Sequence, residues 1–206
     1  MQLNDFQTGQ PIYTKDVAEK MALLFGMPLN KAVAATGVAF KRIMDKTIIN
    51  NLRFYQKGIY YLTAYTPFGE VGINKECLIA DKYLLPDIGY ETGLSALYKI
   101  GLTTQLPNER CFVTNKAKNC VRTDEKLGVL IRPPKTTINE QNKMYLQLLD
   151  VLEFMDKAPV DVEQPYTVLA NYIQRVKLEY KTLLSFADKY YNKKTVLQIA
   201  HIASSV

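Results

Sequence analysis

The sequence predicts an α+β fold: a small helix-and-hairpin unit first, a mixed α/β part after it, and helices at the C-terminal end. Three observations predict it. Asn51–Leu62, NLRFYQKGIYYL, reads as two short strands around Gly58, with Arg53 and Lys57 set beside the aromatics Phe54 and Tyr55. A helical stretch ending in Lys41, Arg42 and Lys46 comes directly before it. After Thr136 the apolar residues recur at helical spacing almost to the end. A basic helix followed at once by a basic hairpin is the working end of a winged helix-turn-helix. The expected division is a winged-helix domain over 1–66 and a mixed α/β domain with a helical C-terminal part over 67–206.

The elements follow in order. Pro11–Tyr13 suits a short strand. Thr14 suits the N-cap of a helix from Lys15 to about Phe25, with Asp16 where a carboxylate meets the helix dipole, and Gly26 ends it. Asn30 is the expected cap of the next stretch, whose apolar side is Val33, Val38, Phe40, Ile43 and Met44, with a break at Gly37 making the helix-turn-helix. Asn50-Asn51 signals a turn into the hairpin, Leu52–Tyr55 with Ile59–Leu62, and Thr66, Pro67 and Gly69 mark a linker. A second unit is expected from about Ile73, with a helix over Asn74–Leu85 stopped by Pro86 and a short helix over Gly93–Ile100 closed by Gly101. Arg110–Thr114 and Lys126–Arg132 are β-rich runs around a polar turn at Asn115–Asn119. Thr137-Ile138-Asn139-Glu140 fits a capping box for the first of three final helices, whose stripe is Tyr145, Leu148, Leu149, Leu152 and Met155. Pro159 and Pro165 bracket a loop; Leu169, Tyr172, Ile173, Val176, Tyr180, Leu183 and Leu184 form the next stripe. Asn192 caps a last helix carrying Val196, Ile199 and Ala200. These stripes read as core rather than partner-facing surface.

Composition narrows the classes. At 206 residues, 48% hydrophobic and 22% charged, the chain has the make-up of an ordinary folded protein. The net charge of +6 is uneven: residues 1–62 carry 8 bases and 4 acids, residues 63–135 carry 10 and 8, and residues 136–206 carry 8 of each. The excess lies where the hairpin lies and favours a polyanionic partner. Cys77, Cys111 and Cys120 are odd in number and widely spaced, which argues against a disulfide framework or zinc site and fits a reducing cytoplasm. The first residues lack the basic and apolar regions of a signal peptide, and no apolar run approaches a membrane span, so no membrane partner is expected.

Duplex DNA needs long side chains at base edges and cations at phosphates. The candidates are Lys31, Lys41, Arg42, Lys46, Arg53, Tyr55 and Lys57. Arg42 and Lys46 share a helical face, and Arg42 is the expected base reader because its planar fork can bond guanine twice. Arg53 and Lys57 would hold phosphate or enter the minor groove, and Tyr55 would offer a hydroxyl to phosphate. The same residues are equally what an ordinary solvated surface carries. A second candidate nucleic-acid patch is Arg110, Lys116, Lys118 and Arg122, with Asn115 and Asn119, in a run free of acids. It either extends a DNA footprint, meets RNA, or is a solvated hairpin tip.

Two blocks of the chain resemble the AbiEi-type antitoxins of abortive-infection systems. The first runs from Ile12-Tyr13-Thr14-Lys15-Asp16-Val17 to Gly58-Ile59-Tyr60-Tyr61 and is similar to that family's winged-helix unit. The second, more specific block is Gly93-Leu94-Ser95-Ala96-Leu97, Gly101-Leu102-Thr103-Thr104-Gln105-Leu106-Pro107 and Val113-Thr114. The resemblance spans about Ile12 to Arg132 and implies a bacterial antitoxin that binds double-stranded operator DNA and represses its own operon. The implied functional partner is a nucleotidyltransferase-like toxin encoded alongside. Two competing expectations stand beside it: an interaction module that neutralises the toxin through its C-terminal part without DNA, and a catalytic module acting on nucleic acid or on the toxin.

Chemistry itself finds little support. A serine–histidine–aspartate set would have to use His201, the one histidine, and no phosphate-binding glycine loop is present. A nuclease reading would use Glu179, Lys181 and Asp161, but Glu179 and Lys181 are two apart on an expected helix and so diverge. No catalytic residue, cofactor or metal ligand is expected.

Overall fold

The structure is a computed structural model and describes residues 6–205. It is a mixed α+β chain of two compact units, Met1–Leu78 and Ile79–Val206.

In the first unit, β1 (Ile12–Tyr13) leads into α1 (Thr14–Phe25), and α2 (Leu29–Asp45) is followed by β2 (Leu52–Gln56) and β3 (Ile59–Leu62). The three strands form one antiparallel sheet in the order β1-β3-β2, with Ile12 opposite Tyr60 and Leu52 opposite Leu62. Alternation puts Ile12, Leu52, Tyr60 and Leu62 on the inner face, where they meet Phe40 of α2; the Phe40 and Tyr60 rings stack 4.5 Å apart. The hairpin turns on Lys57-Gly58, and Gly58 takes φ +82°, a left-handed conformation that favours glycine. Its carbonyl accepts from the Thr14 amide at 2.9 Å, which satisfies one of the orphan donors at the start of α1. Thr14 is not the N-cap: Tyr13 holds that position, with no side-chain capping bond to the helix, and the Thr14 hydroxyl is buried and unpartnered. Gly26, at φ 60°, ends α1 as expected.

Two further expectations here are corrected. Asn30 does not cap α2, because Pro28 precedes the first turn and Asn30 lies inside it, its side chain accepting from the Lys31 amide. Gly37 does not break the helix. A glycine costs about 1 kcal/mol in a helix interior, which the burial of Ala32, Thr36 and Phe40 on either side offsets. The turn of the helix pair is Gly26-Met27-Pro28, and the chain bends by 118° across it. The expected linker at Thr66–Gly69 is a second small hairpin, β4 (Tyr65–Thr66) and β5 (Gly69–Glu70), with Phe68 fully exposed at its tip. α3 (Lys75–Ile79) is capped by Asn74, whose side chain accepts from the Glu76 and Cys77 amides. It continues as a π-helical turn over Ala80–Leu84 before Pro86.

The second unit is a four-stranded sheet beside a helical layer. β6 (Gly89–Thr92), α4 (Leu94–Ile100), β7 (Arg110–Thr114), β8 (Arg122–Asp124) and β9 (Val129–Arg132) give the sheet order β6-β7-β9-β8. β7 and β9 run parallel, so the two β-rich runs are not the two arms of a hairpin; β8 intervenes and pairs antiparallel with β9. Then come α5 (Lys143–Met155), α6 (Pro165–Arg175), α7 (Tyr180–Tyr190) and α8 (Lys193–Ala203), four helices where three were expected. The stripe from Leu169 to Leu184 is split between α6 and α7; its inner members Leu169, Ile173 and Leu183 share one core with Leu148, Leu149 and Leu152 of α5 and Ile199 of α8. The capping box before α5 is absent. Asn139 and Asn142 instead exchange bonds, each side chain accepting the other's amide, and Asn142 also donates to the Thr137 carbonyl. Asn192 caps α8 as expected, accepting from the Thr195 amide at 2.9 Å.

Candidate nucleic-acid interface

α2 buries Ala32, Thr36 and Phe40, and this four-residue rhythm decides what faces outward. Lys31, Lys41, Arg42 and Lys46 are all exposed, and none makes an ion pair among the described residues. Arg42 lies in the last turn of the helix, far from its N-terminal end. Val33 and Val38 do not belong to the apolar side; they are 37% and 50% exposed. Ala34 and Ala35 are exposed with them. This small apolar face between cations was missed, although the spacing of Ala32, Thr36, Phe40 and Ile43 would have signalled it.

On the hairpin, Lys57 is exposed at the turn, and Phe54 is half exposed, edge-on to Tyr60. A groove of about 360 Å³ runs between Phe54 and the outer side of α2 at Gly37, Lys41 and Asp45. Tyr55 is the extra residue of a β-bulge between Phe54 and Gln56 and is half buried. Arg53 is not the open cation expected. Its Nε donates to Glu70 Oε1 at 2.7 Å, Nη1 to the Asn50 and Leu52 carbonyls at 2.8 and 3.1 Å, and Nη2 to the Tyr65 hydroxyl at 3.4 Å. The guanidinium fork thus ties the β2–β3 hairpin to the β4–β5 hairpin; desolvation pulls its pKa down, but Glu70 and Tyr65 leave it above its already high ordinary value.

The second basic run is not uniformly open. Arg110 is drawn in by Glu91, its Nε donating to Oε1 at 2.6 Å, and Lys99 holds the other oxygen of the same carboxylate. Glu91 is 6% exposed, and burial pushes its carboxyl up, but the bonds from Arg110 and Lys99 leave it below its ordinary range. Asn115 is spent on Ile138, bonding its amide and its carbonyl. Lys116, Lys118 and Arg122 remain exposed.

Several acids are held by neighbouring donors. Asp150 accepts from the Tyr191 hydroxyl at 2.6 Å and the Tyr90 hydroxyl at 2.9 Å. Burial pushes its carboxyl up while those two donors pull it down. Asp161 accepts three bonds, from the Thr104 amide and hydroxyl and the Thr103 hydroxyl, all within 3.0 Å, which hold its carboxyl below the usual range. The Gly101–Pro107 block is thereby explained locally: Gly101 ends α4, Leu102 is fully buried, and the threonines clamp Asp161. Glu179 caps α7 rather than lying within it, and its carboxylate accepts from Thr182. His201 is exposed and tilted against Tyr166. Burial pushes the Cys111 thiol up to about 11. Among the described residues no three histidine, cysteine or acidic side chains converge to hold a metal, and no single helix is long and apolar enough to cross a membrane.

No family model matches the sequence, and no curated protein matches it significantly. Among solved structures, the RV2827C protein from Mycobacterium tuberculosis is similar over 95% of this chain and 71% of its own, with 11% identity and a TM-score of 0.47.

Proposed function

We propose that this chain is an antitoxin of the AbiEi type that binds operator DNA through a winged helix and represses its own operon, with a nucleotidyltransferase-like toxin as its functional partner. One observation carries the DNA reading. Two helices joined by a three-residue turn bend by 118°, and the second presents Lys31, Lys41 and Arg42 to solvent directly before a hairpin tipped by Lys57. Helix-turn-helix pairs meet at about 90–120° over such turns, and the second helix enters the major groove. The Gly93–Thr114 block supports the family assignment by resemblance. The C-terminal helices spend most of their apolar stripes on one another, which favours this reading over a docking module built on them.

The reading assigns no catalytic residue. Its test is a gel-shift series on the DNA upstream of the chain's own gene across salt concentrations. Binding that weakens steeply with salt is expected; absent or salt-independent binding refutes it.

A further inference from the structure

We propose that the outward face of α2 reads thymine methyl groups in the major groove. The inference rests on the DNA-binding reading and adds what that helix recognises.

Between Lys31 and Lys41 the exposed side chains of α2 are Val33, Ala34, Ala35, Val38 and Ala39. The one polar side chain in that interval, Thr36, is buried, with its hydroxyl donating to the Ala32 carbonyl at 2.8 Å. The middle of the helix therefore offers no side-chain donor or acceptor to a base edge. What an apolar side chain can distinguish in the major groove is the C5-methyl group of thymine. The alanines also let the helix backbone lie close to the groove floor.

The flanking charges fit the same pose. Lys31 and Arg42 are eleven residues apart on the outward side, about 16 Å along the axis. The major groove is about 12 Å wide. Cations at the two ends of the helix reach the phosphate walls while Ala34, Ala35 and Val38 lie over the floor. Arg42 then holds phosphate, and its expected part as base reader passes to the apolar residues before it.

The experiment uses the full chain and a random 20-bp duplex pool taken through rounds of selection. The enriched duplexes are then remade with deoxyuridine in place of thymidine, which removes the methyl and leaves every hydrogen-bonding group. Each methyl lost should cost about fourfold in affinity, the factor for withdrawing one such group from apolar contact, or about 15-fold for two. The salt dependence should not change, because the phosphates are the same. Val38→Ala, at an exposed helical position that accepts alanine, should shrink the thymine-to-uracil ratio at least twofold. A ratio near one overturns methyl reading and leaves DNA binding standing. A large ratio untouched by Val38→Ala overturns its assignment to α2. Failure to enrich any duplex overturns both readings.

Discussion

Among the described residues of the helix–hairpin unit, six exposed cations stand free of ion pairs: Lys20 on α1, and five from α2 onward, Lys31, Lys41, Arg42, Lys46 and Lys57, while Arg53 is engaged by Glu70. If each of the five neutralises one phosphate, log affinity falls against log salt with a slope of about −4.5, close to a 500-fold loss between 50 and 200 mM. The informative perturbation is the charge-neutral pair Arg53→Met with Glu70→Gln. Because this pair already neutralises itself, the slope should stay near −4.5. Removing Arg53 alone would leave an unbalanced carboxylate beside the DNA and confuse the result. Lys57→Ala should flatten the slope by about 0.9, to about −3.6, and weaken all sequences alike. Fluorescence anisotropy with a labelled duplex at several salt concentrations measures both, with circular dichroism confirming that each variant folds. A double variant flattened by about 0.9 would refute the reasoning, since Arg53 would then exchange Glu70 for a phosphate on binding.

Other outcomes follow from the second unit. A Cβ at Gly89 would lie 2.2 Å from the Tyr83 carbonyl oxygen and 2.7 Å from that of Val113, both backbone atoms. Gly89→Ala should cost at least about 2 kcal/mol in urea unfolding. Replacing both Tyr90 and Tyr191 by Phe strips a buried carboxyl of its two donors and should destabilise by about 2–4 kcal/mol, measured the same way. Asp161 has its carboxyl lowered in the folded state, so it stabilises above the ordinary carboxylate range and loses that contribution as pH falls through the lowered value. Asp161→Ala should therefore differ most from the parent near neutral pH and converge with it in acid, as read from urea midpoints at pH 7 and pH 3.

Local signals were legible and distant partners were not. Gly58 announced the hairpin and Asn192 the start of α8, because each acts within a few residues of itself. Four-residue repeats exposed the core of α5 and most of α6 and α7. β6 and β8 were not legible. Gly89-Tyr90-Glu91-Thr92 and Arg122-Thr123-Asp124 lack alternation, and their strand character comes from pairing with β7 and β9. Thr137 and Glu140 have the spacing of a capping box, but the amides that find side-chain acceptors are those of Asn139 and Asn142, and the helix starts only at Lys143. At the candidate interface, periodicity found the exposed lysines. It could not find the Arg53–Glu70 pair, whose members are seventeen positions apart and meet only through the β4–β5 hairpin.

The hydrogen bond from the Thr14 amide to the Gly58 carbonyl joins two places where proteins ordinarily loosen first, a helix start and a hairpin turn. Neither can fray without releasing the other. Deuterium should consequently enter both at a common rate, slower than at an ordinary helix start or hairpin turn, and the tip should meet any ligand already set rather than settling around it.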